Sequence, residues 1–246
     1  MAEPMGFYTD TTVCIGCKAC EVACKEWNLI PQDGQDFLGW SYDNTGELNG
    51  ETAGLDAEPL RWLMSSDVCK HCTHAACLDV CPTGSLFRTE FGTVVVQQDI
   101  CNGCGYCVPA CPFGVVELSL ADGRAHKCTL CYDRLKDGLE PACAKSCPTD
   151  SIQFGELDEL RERAAHRVEQ RHERGLTEAR LYGHDPADGG GGTGAFFLLL
   201  DEPEVYGLPP DPVVPTRELP AMWKYAGMAA SALLAAAVAA FGGRRR

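Results

Sequence analysis

Apolar and polar positions change their period several times along the chain, and each change marks an element. Leu86–Thr89 and Thr93–Gln97 are mostly apolar or β-branched and flank a Glu90-Phe91-Gly92 turn, which predicts a hairpin. Val115–Leu120 and Arg124–His126 flank Asp122-Gly123, a dipeptide suited to a second hairpin. From Glu156 to Arg174 the period becomes helical. Leu157, Leu160, Ala164 and Val168 share one face, and Gly175 closes the segment. Its other faces are charged, as in a solvated helix. Ala195–Leu200 is a continuous apolar run and predicts a strand. The GGGGTG run at 189–194 lacks the Lys-Ser/Thr pair that a phosphate loop needs, so it reads as a turn into that strand. Pro203 to Pro220 reads as an extended linker.

The last apolar stretch differs from all of these. Tyr225 to Gly243 carries no charge, and at 1.5 Å per residue spans roughly 28 Å, the thickness of a bilayer core. Trp223 and Tyr225 stand at one end, and Arg244, Arg245 and Arg246 at the other. The positive-inside rule puts the arginines in the cytoplasm and the rest of the chain on the outer, periplasmic face of a bacterial cell membrane. The segment is rich in alanine, and Gly227, Ala230 and Ala235–Ala237 allow close packing on partner helices. Met1 to Asp10 is polar and has no secretory apolar core. An outer location then requires export together with a partner that bears the signal.

Between the apolar segments lie sixteen cysteines in four runs of four. The runs are Cys14, Cys17, Cys20, Cys24; Cys69, Cys72, Cys77, Cys81; Cys101, Cys104, Cys107, Cys111; and Cys128, Cys131, Cys143, Cys147. The first and third have the C-x2-C-x2-C-x3-C spacing that binds [4Fe–4S] cubanes. A cubane needs four converging thiolates, and such a loop supplies three while the fourth arrives from elsewhere. Proline follows the last Cys in three runs, at Pro82, Pro112 and Pro148. Disulfide scaffolds are usually far shorter than this 246-residue chain. Structural zinc sites use pairs of C-x2-C knuckles and have no place for a third nearby Cys. Four cubanes are the expectation, and electron transfer is the chemistry they imply.

Repeats organise residues 1–155. CPTGSLF (81–87), CPFGVVE (111–117) and CPTDSIQF (147–154) are versions of one unit: last cysteine, proline, turn, short strand. In paired modules the fourth Cys of one run ligates the partner run's cluster. The adjacent second and third runs pair most simply. One cluster then takes Cys69, Cys72, Cys77 and Cys111, and its neighbour Cys101, Cys104, Cys107 and Cys81. The outer runs give Cys14, Cys17, Cys20 with Cys147, and Cys128, Cys131, Cys143 with Cys24. Pairing of the first run with the second stays open on spacing alone. The fold class expected is α+β: two ferredoxin-like modules of two [4Fe–4S] clusters each, plus one C-terminal transmembrane helix. Its parts are 1–155 with an insertion at 28–66, a helix–strand extension and linker at 156–220, and an anchor at 221–246. The insertion carries Trp40 and Trp62 and reads equally as a partner-binding loop or a surface excursion.

Charge narrows the function further. The chain has a net charge of −14, and four oxidised clusters with their thiolates take it to about −22, which excludes a nucleic-acid partner. Against that background Lys18, Lys25, Lys70, Lys127 and Lys145 lie within or beside cysteine runs. A cation there raises a cluster's potential, although exposed loops carry lysine for solubility as well. His71 and His74 sit inside the second run, where the cysteine count is already complete, and read as solvent-facing residues or as neighbours of the ligands. No Ser/His/Asp, paired-carboxylate or hydrolytic metal constellation is visible, so the chain has no catalytic site of its own.

Taken together, GFYTDTTVCIGCKACEVACKEWN (6–28), YDNTGEL (42–48), residues 64–117 and GGTGAFFLLLDEPEVYGLPPDP (191–212) resemble the iron–sulfur subunits of respiratory formate dehydrogenases. These are four-cluster members of the molybdopterin oxidoreductase family. The resemblance implies the outer-pair and inner-pair ligation given above. It implies a molybdopterin or tungstopterin catalytic subunit that oxidises formate, and a cytochrome b membrane subunit that passes electrons to quinone in anaerobic respiration. Retention of all sixteen cysteines sets the chain apart from nitrate reductase relatives, where a Trp replaces one ligand. The corresponding subunits of hydrogenase, polysulfide reductase or dimethyl sulfoxide reductase are the alternatives within this class. A free-standing polyferredoxin and a zinc-binding interaction protein are alternatives outside it.

Overall fold

The computed structural model describes residues 3–30, 63–214 and 216–242. Most of the 28–66 insertion, with Trp40, Trp62 and the 42–48 stretch, lies outside the described residues, as do Arg244–Arg246. In chain order the elements are β1 (Met5–Asp10), α1 (Ala19–Asn28), α2 (Ala76–Asp79), β2 (Leu86–Arg88), β3 (Val94–Val96), α3 (Cys107–Ala110), β4 (Glu117–Leu118) and β5 (Ala125–His126). There follow α4 (Tyr132–Lys136), α5 (Ala142–Ser146), β6 (Ile152–Glu156), α6 (Leu157–Glu173), β7 (Arg180–Tyr182), β8 (Ala195–Leu199) and α7 (Leu219–Gly242). The class is mixed α/β.

A four-stranded sheet in the order β6-β1-β8-β7 is the structural centre. β1 runs antiparallel to β6 and parallel to β8, with Phe7 opposite both Phe154 and Ala195. The sheet therefore draws strands from both sides of the 155/156 division. β8 is buried on both faces, which is why AFFLL reads as an unbroken apolar run rather than an alternation. One face carries Phe7, Ile152 and Ala195 and packs on Leu130, Leu135, Cys143 and Ala144 from the cysteine loops. The opposite face carries Tyr8, Phe196 and Leu198 and packs on Leu160 and Ala164 of α6. Tyr8 stacks on Phe196 with ring centroids 5.5 Å apart.

The helix expected over 156–174 is α6, with Glu156 and Arg174 at its caps. Gly175, at φ 84°, ends it in a paired-bond motif: its N–H reaches the His172 carbonyl and the Leu176 N–H reaches that of Arg171. Both expected hairpins form. β2 and β3 pair with Leu86 opposite Val96, and β4 and β5 with Glu117 opposite His126. The segment after β8 is less extended than its prolines imply. It makes a 3-10 turn at Pro203–Tyr206 and buries Leu208 and Val214. The last helix begins six residues earlier than its uncharged stretch, with Pro220 in its first turn. Its side chains are exposed along the described length, and it is long and apolar enough to cross a membrane.

Candidate iron–sulfur centres

Each cysteine run is built on the same backbone device. The residue two places after the first cysteine is left-handed in all four runs: Gly16 at φ 63°, His71 at 46°, Gly103 at 72° and Leu130 at 58°. That turn folds the amide back toward the sulfur. His71 N–H donates to Cys69 Sγ at 3.5 Å, and Leu130 N–H to Cys128 Sγ at 3.4 Å. Glycine adopts the turn without strain, whereas His71 and Leu130 cost about 1 kcal/mol each and are held by burial. A second turn follows the last cysteine of three runs, with Gly84, Gly114 and Asp150 all left-handed.

The third and fourth cysteines of each run are joined by about one turn of helix. α1 contains both Cys20 and Cys24, and Cys147 caps the C-terminus of α5, which holds Cys143. Cys107 opens α3 and Cys111 caps it, and Cys77 lies in α2 just before Cys81. A four-residue step rises roughly 6 Å along a helix and keeps both side chains on one face.

Thiols of different runs lie close enough to influence one another's pKa. Burial pushes the Cys72 thiol up to about 12, and Cys69, Cys77 and Cys111 add to the rise. Burial raises Cys107, with Cys101, Cys104 and Cys81 contributing. For Cys143 burial comes first, followed by Cys128, Cys131 and Cys24. Cys20 is raised by burial, and by Cys14 and Cys147. Three of these groups draw three cysteines from one run and one from another, and the fourth joins Cys14 and Cys20 to Cys147. Cys17, exposed on the loop between Cys14 and Cys20, is the one thiol that these relations do not reach. Neighbouring groups also sense each other, Cys77 with Cys107 and Cys128 with Cys69. Cys81 is the opposite case. Burial raises it, but bonds from the Ser85 and Thr83 hydroxyls and the Leu86 and Thr83 amides outweigh that and bring it to about 6.

Two family models, each a 4Fe-4S dicluster domain, match residues 60–157 and 13–86. A formate dehydrogenase iron-sulfur subunit from Haemophilus influenzae is 42% identical over 216 residues, 83% of this chain and 68% of that one. The nitrate-inducible counterpart from Escherichia coli is 41% identical over 87% of this chain and 75% of its own. The chain belongs to the formate dehydrogenase iron–sulfur subunits. A broader relative, a component of the anaerobic dimethyl sulfoxide reductase of Escherichia coli, is 38% identical over 66% of this chain and 78% of its own.

In such an electron-transfer subunit the thiols must accept an iron–sulfur core, and the residues present fit one. Crowded buried thiols resist deprotonation, and a cationic core reverses that penalty. A small cavity of about 20 Å³ is lined by Cys69, Cys72, Cys77 and Cys111 with Val94, Phe113 and Val116. Among the described residues no three His, Cys, Asp or Glu groups close on the point a single metal ion would occupy.

Several supports were not legible in the sequence. The glycine run does more than turn into β8. Gly194 N–H bonds the His71 carbonyl, Thr73 N–H bonds that of Gly192, and His74 N–H that of Gly190. A Cβ on Gly191 would lie 2.4 Å from the His74 ring, so the loop is glycine-rich because it lies flat on the second run. His71 is buried rather than solvent-facing, and its Nδ1 accepts the Val94 N–H at 3.0 Å. Arg88 braces the same run through the Cys72 and Thr73 carbonyls. In the first module, Trp27 donates to Asp133 at 2.8 Å and lies under the Arg134 guanidinium, so the long spacer between Cys131 and Cys143 packs against α1. Asp10, nearly fully buried, accepts from Arg167 at 2.7 Å and from Thr12 N–H, fixing the approach to Cys14. Apart from the local Asp10–Thr12 contact, these pairings leave no local sequence signal, because their partners are fifteen or more residues apart.

Proposed function

We propose that the chain is a four-cluster wire that carries electrons from a formate-oxidising catalytic subunit toward the membrane. The four [4Fe–4S] clusters take Cys14, Cys17, Cys20 and Cys147; Cys24, Cys128, Cys131 and Cys143; Cys69, Cys72, Cys77 and Cys111; and Cys81, Cys101, Cys104 and Cys107. The observation that carries this is the cross-run grouping of the thiols, each set joined to the next through a helix turn or a sulfur of the neighbouring set. Those links support a linear order, in the sequence just given.

The approach to α7 supports a direction. Thr216 donates to Asp79 at 2.5 Å, and Asp79 stands between Cys77 and Cys81. The anchor therefore roots beside the last two clusters, while the cluster of Cys14 lies at the far end. That far end faces the molybdopterin or tungstopterin subunit, and the root faces a cytochrome b subunit in the bilayer. Formate gives CO2, a proton and two electrons, which traverse the chain singly. The helix crosses the membrane once, with residues 1–200 on the outer face and the arginine end in the cytoplasm.

Metal analysis of the purified anchored complex tests the wire: about 16 iron and 16 acid-labile sulfide per chain are expected, and zinc without sulfide overturns it. Cys147→Ser and Cys20→Ser should remove the same paramagnetic signal, and Cys143→Ser a different one. If Cys147→Ser and Cys143→Ser remove the same signal, the ligand sets are wrong. Protease added to intact cells should digest residues 1–200, and protection there reverses the orientation. The dimethyl sulfoxide reductase relative supports the equivalent subunit of an S-oxide reductase as a second reading. Reduction of the clusters by formate in the complex separates the two.

A further inference from the structure

Two lysines beside the second run are turned inward, and they differ in what their charge meets. Lys70 is almost fully buried. Its ammonium pairs with Asp67 at 2.7 Å, donates to the Val68 carbonyl and lies over the Phe197 ring, so its charge is spent away from the sulfurs. Lys127 donates to the Val94 carbonyl, to the Cys128 carbonyl at 3.0 Å and to Cys69 Sγ at 3.4 Å. Those three bonds use all three of its protons. Among the described residues no carboxylate pairs with it. The chain places this ammonium, next to Cys128 in sequence and against Cys69 in space, at the junction of two thiol groups. Its charge also reaches Cys77.

We propose that Lys127 sets the reduction potentials of the two middle clusters, holding that of the Cys69 cluster up most strongly and that of the Cys128 cluster to a smaller degree. This rests on the ligand sets given under the proposed function. Reduction adds one negative charge to a cluster, and an unpaired cation hydrogen-bonded to a ligand sulfur favours that state. The same cation offsets the repulsion between two neighbouring clusters that are both reduced. The middle of the wire can then fill with successive electrons rather than block after the first. Lys127 is a positioning and tuning residue, not an iron ligand.

The test is an EPR-monitored redox titration of the intact complex. Lys127→Gln should lower the midpoint potential of one middle cluster, lower its neighbour's less, and leave the end clusters unmoved. Lys127→Arg, which keeps the charge, should stay close to the native profile, and Lys70→Gln should shift the same cluster less than Lys127→Gln. No shift in Lys127→Gln, an equal shift of all four clusters, or a larger shift in Lys70→Gln overturns the proposal. Should Lys127→Gln fail to assemble, the native chain labelled with ¹⁵N-lysine serves instead. Pulsed EPR should then find a lysine nitrogen coupled to a middle cluster, and its absence overturns the proposal. Fewer than four clusters in the native complex is a separate failure, that of the ligand sets.

Discussion

The two ends of the proposed wire and its middle are built differently. The exposed thiols are Cys17 and Cys104, one in each end group, whereas three of the four buried thiols, Cys69, Cys131 and Cys143, belong to the middle groups and the fourth, Cys107, to an end group. The middle is braced from several directions. The β2–β3 hairpin, the glycine-rich loop and Lys127 hold the second run, and Trp27 with Arg134 packs beside the fourth. The first run shows Ile15, Val22 and Leu29 to solvent. Ends must exchange electrons with other proteins and so bring ligands to the surface, while a middle centre gains from exclusion of water. In the proposed wire, exposure of a thiol at either end would mark a port for electrons, not a weak fold.

Chelation gives the largest contrast. With an iron chelator and oxygen, iron in the full chain should fall in two steps, with about half lost first from the ends, where access governs attack on thiolates. Simultaneous loss from all four centres breaks the comparison. Point substitutions should repeat it on a smaller scale. Leu130→Ala removes a fully buried side chain against the middle group and should cost about 3 kcal/mol in denaturant unfolding. Arg167→Ala strips the main partner from buried Asp10, with Arg171 still 3.9 Å away, and should cost about 2 kcal/mol. It should also speed iron loss from the Cys14 end alone. Ile15→Ala, at an exposed position in the first run, should stay within about 0.5 kcal/mol in the chain alone. The smallest effect is a gain: Asp150→Gly relieves an exposed left-handed residue, where the repeats at Gly84 and Gly114 already have glycine, by about 0.5 kcal/mol.

Local features were legible in the chain itself. Both hairpins, α6 and β8 follow from turn dipeptides and apolar period, and the cysteine spacing announces the centres. β1 was not legible. MGFYTD has neither clean alternation nor a long apolar run, and it becomes a central strand only because β6 and β8 arrive on either side of it. Its parallel pairing with β8 joins residues nearly two hundred positions apart, which no local rule detects. The glycine run was misleading for the same reason. Its composition speaks of freedom, yet it is tied flat against His74. The lysines divided likewise, since only the fold shows that Lys70 has a carboxylate partner while Lys127 faces sulfur.

The helix turn between third and fourth cysteines has a consequence for variation among such chains. In the proposed wire the separation of paired centres would be written in backbone hydrogen bonds, whereas their potentials would depend on side chains such as Lys127 and on amides in the loops. Distance and driving force are the two quantities that set an electron-hopping rate. Here they reside in different parts of the polypeptide, so substitutions in the loops can retune the voltage of one relay without moving the next one nearer or farther.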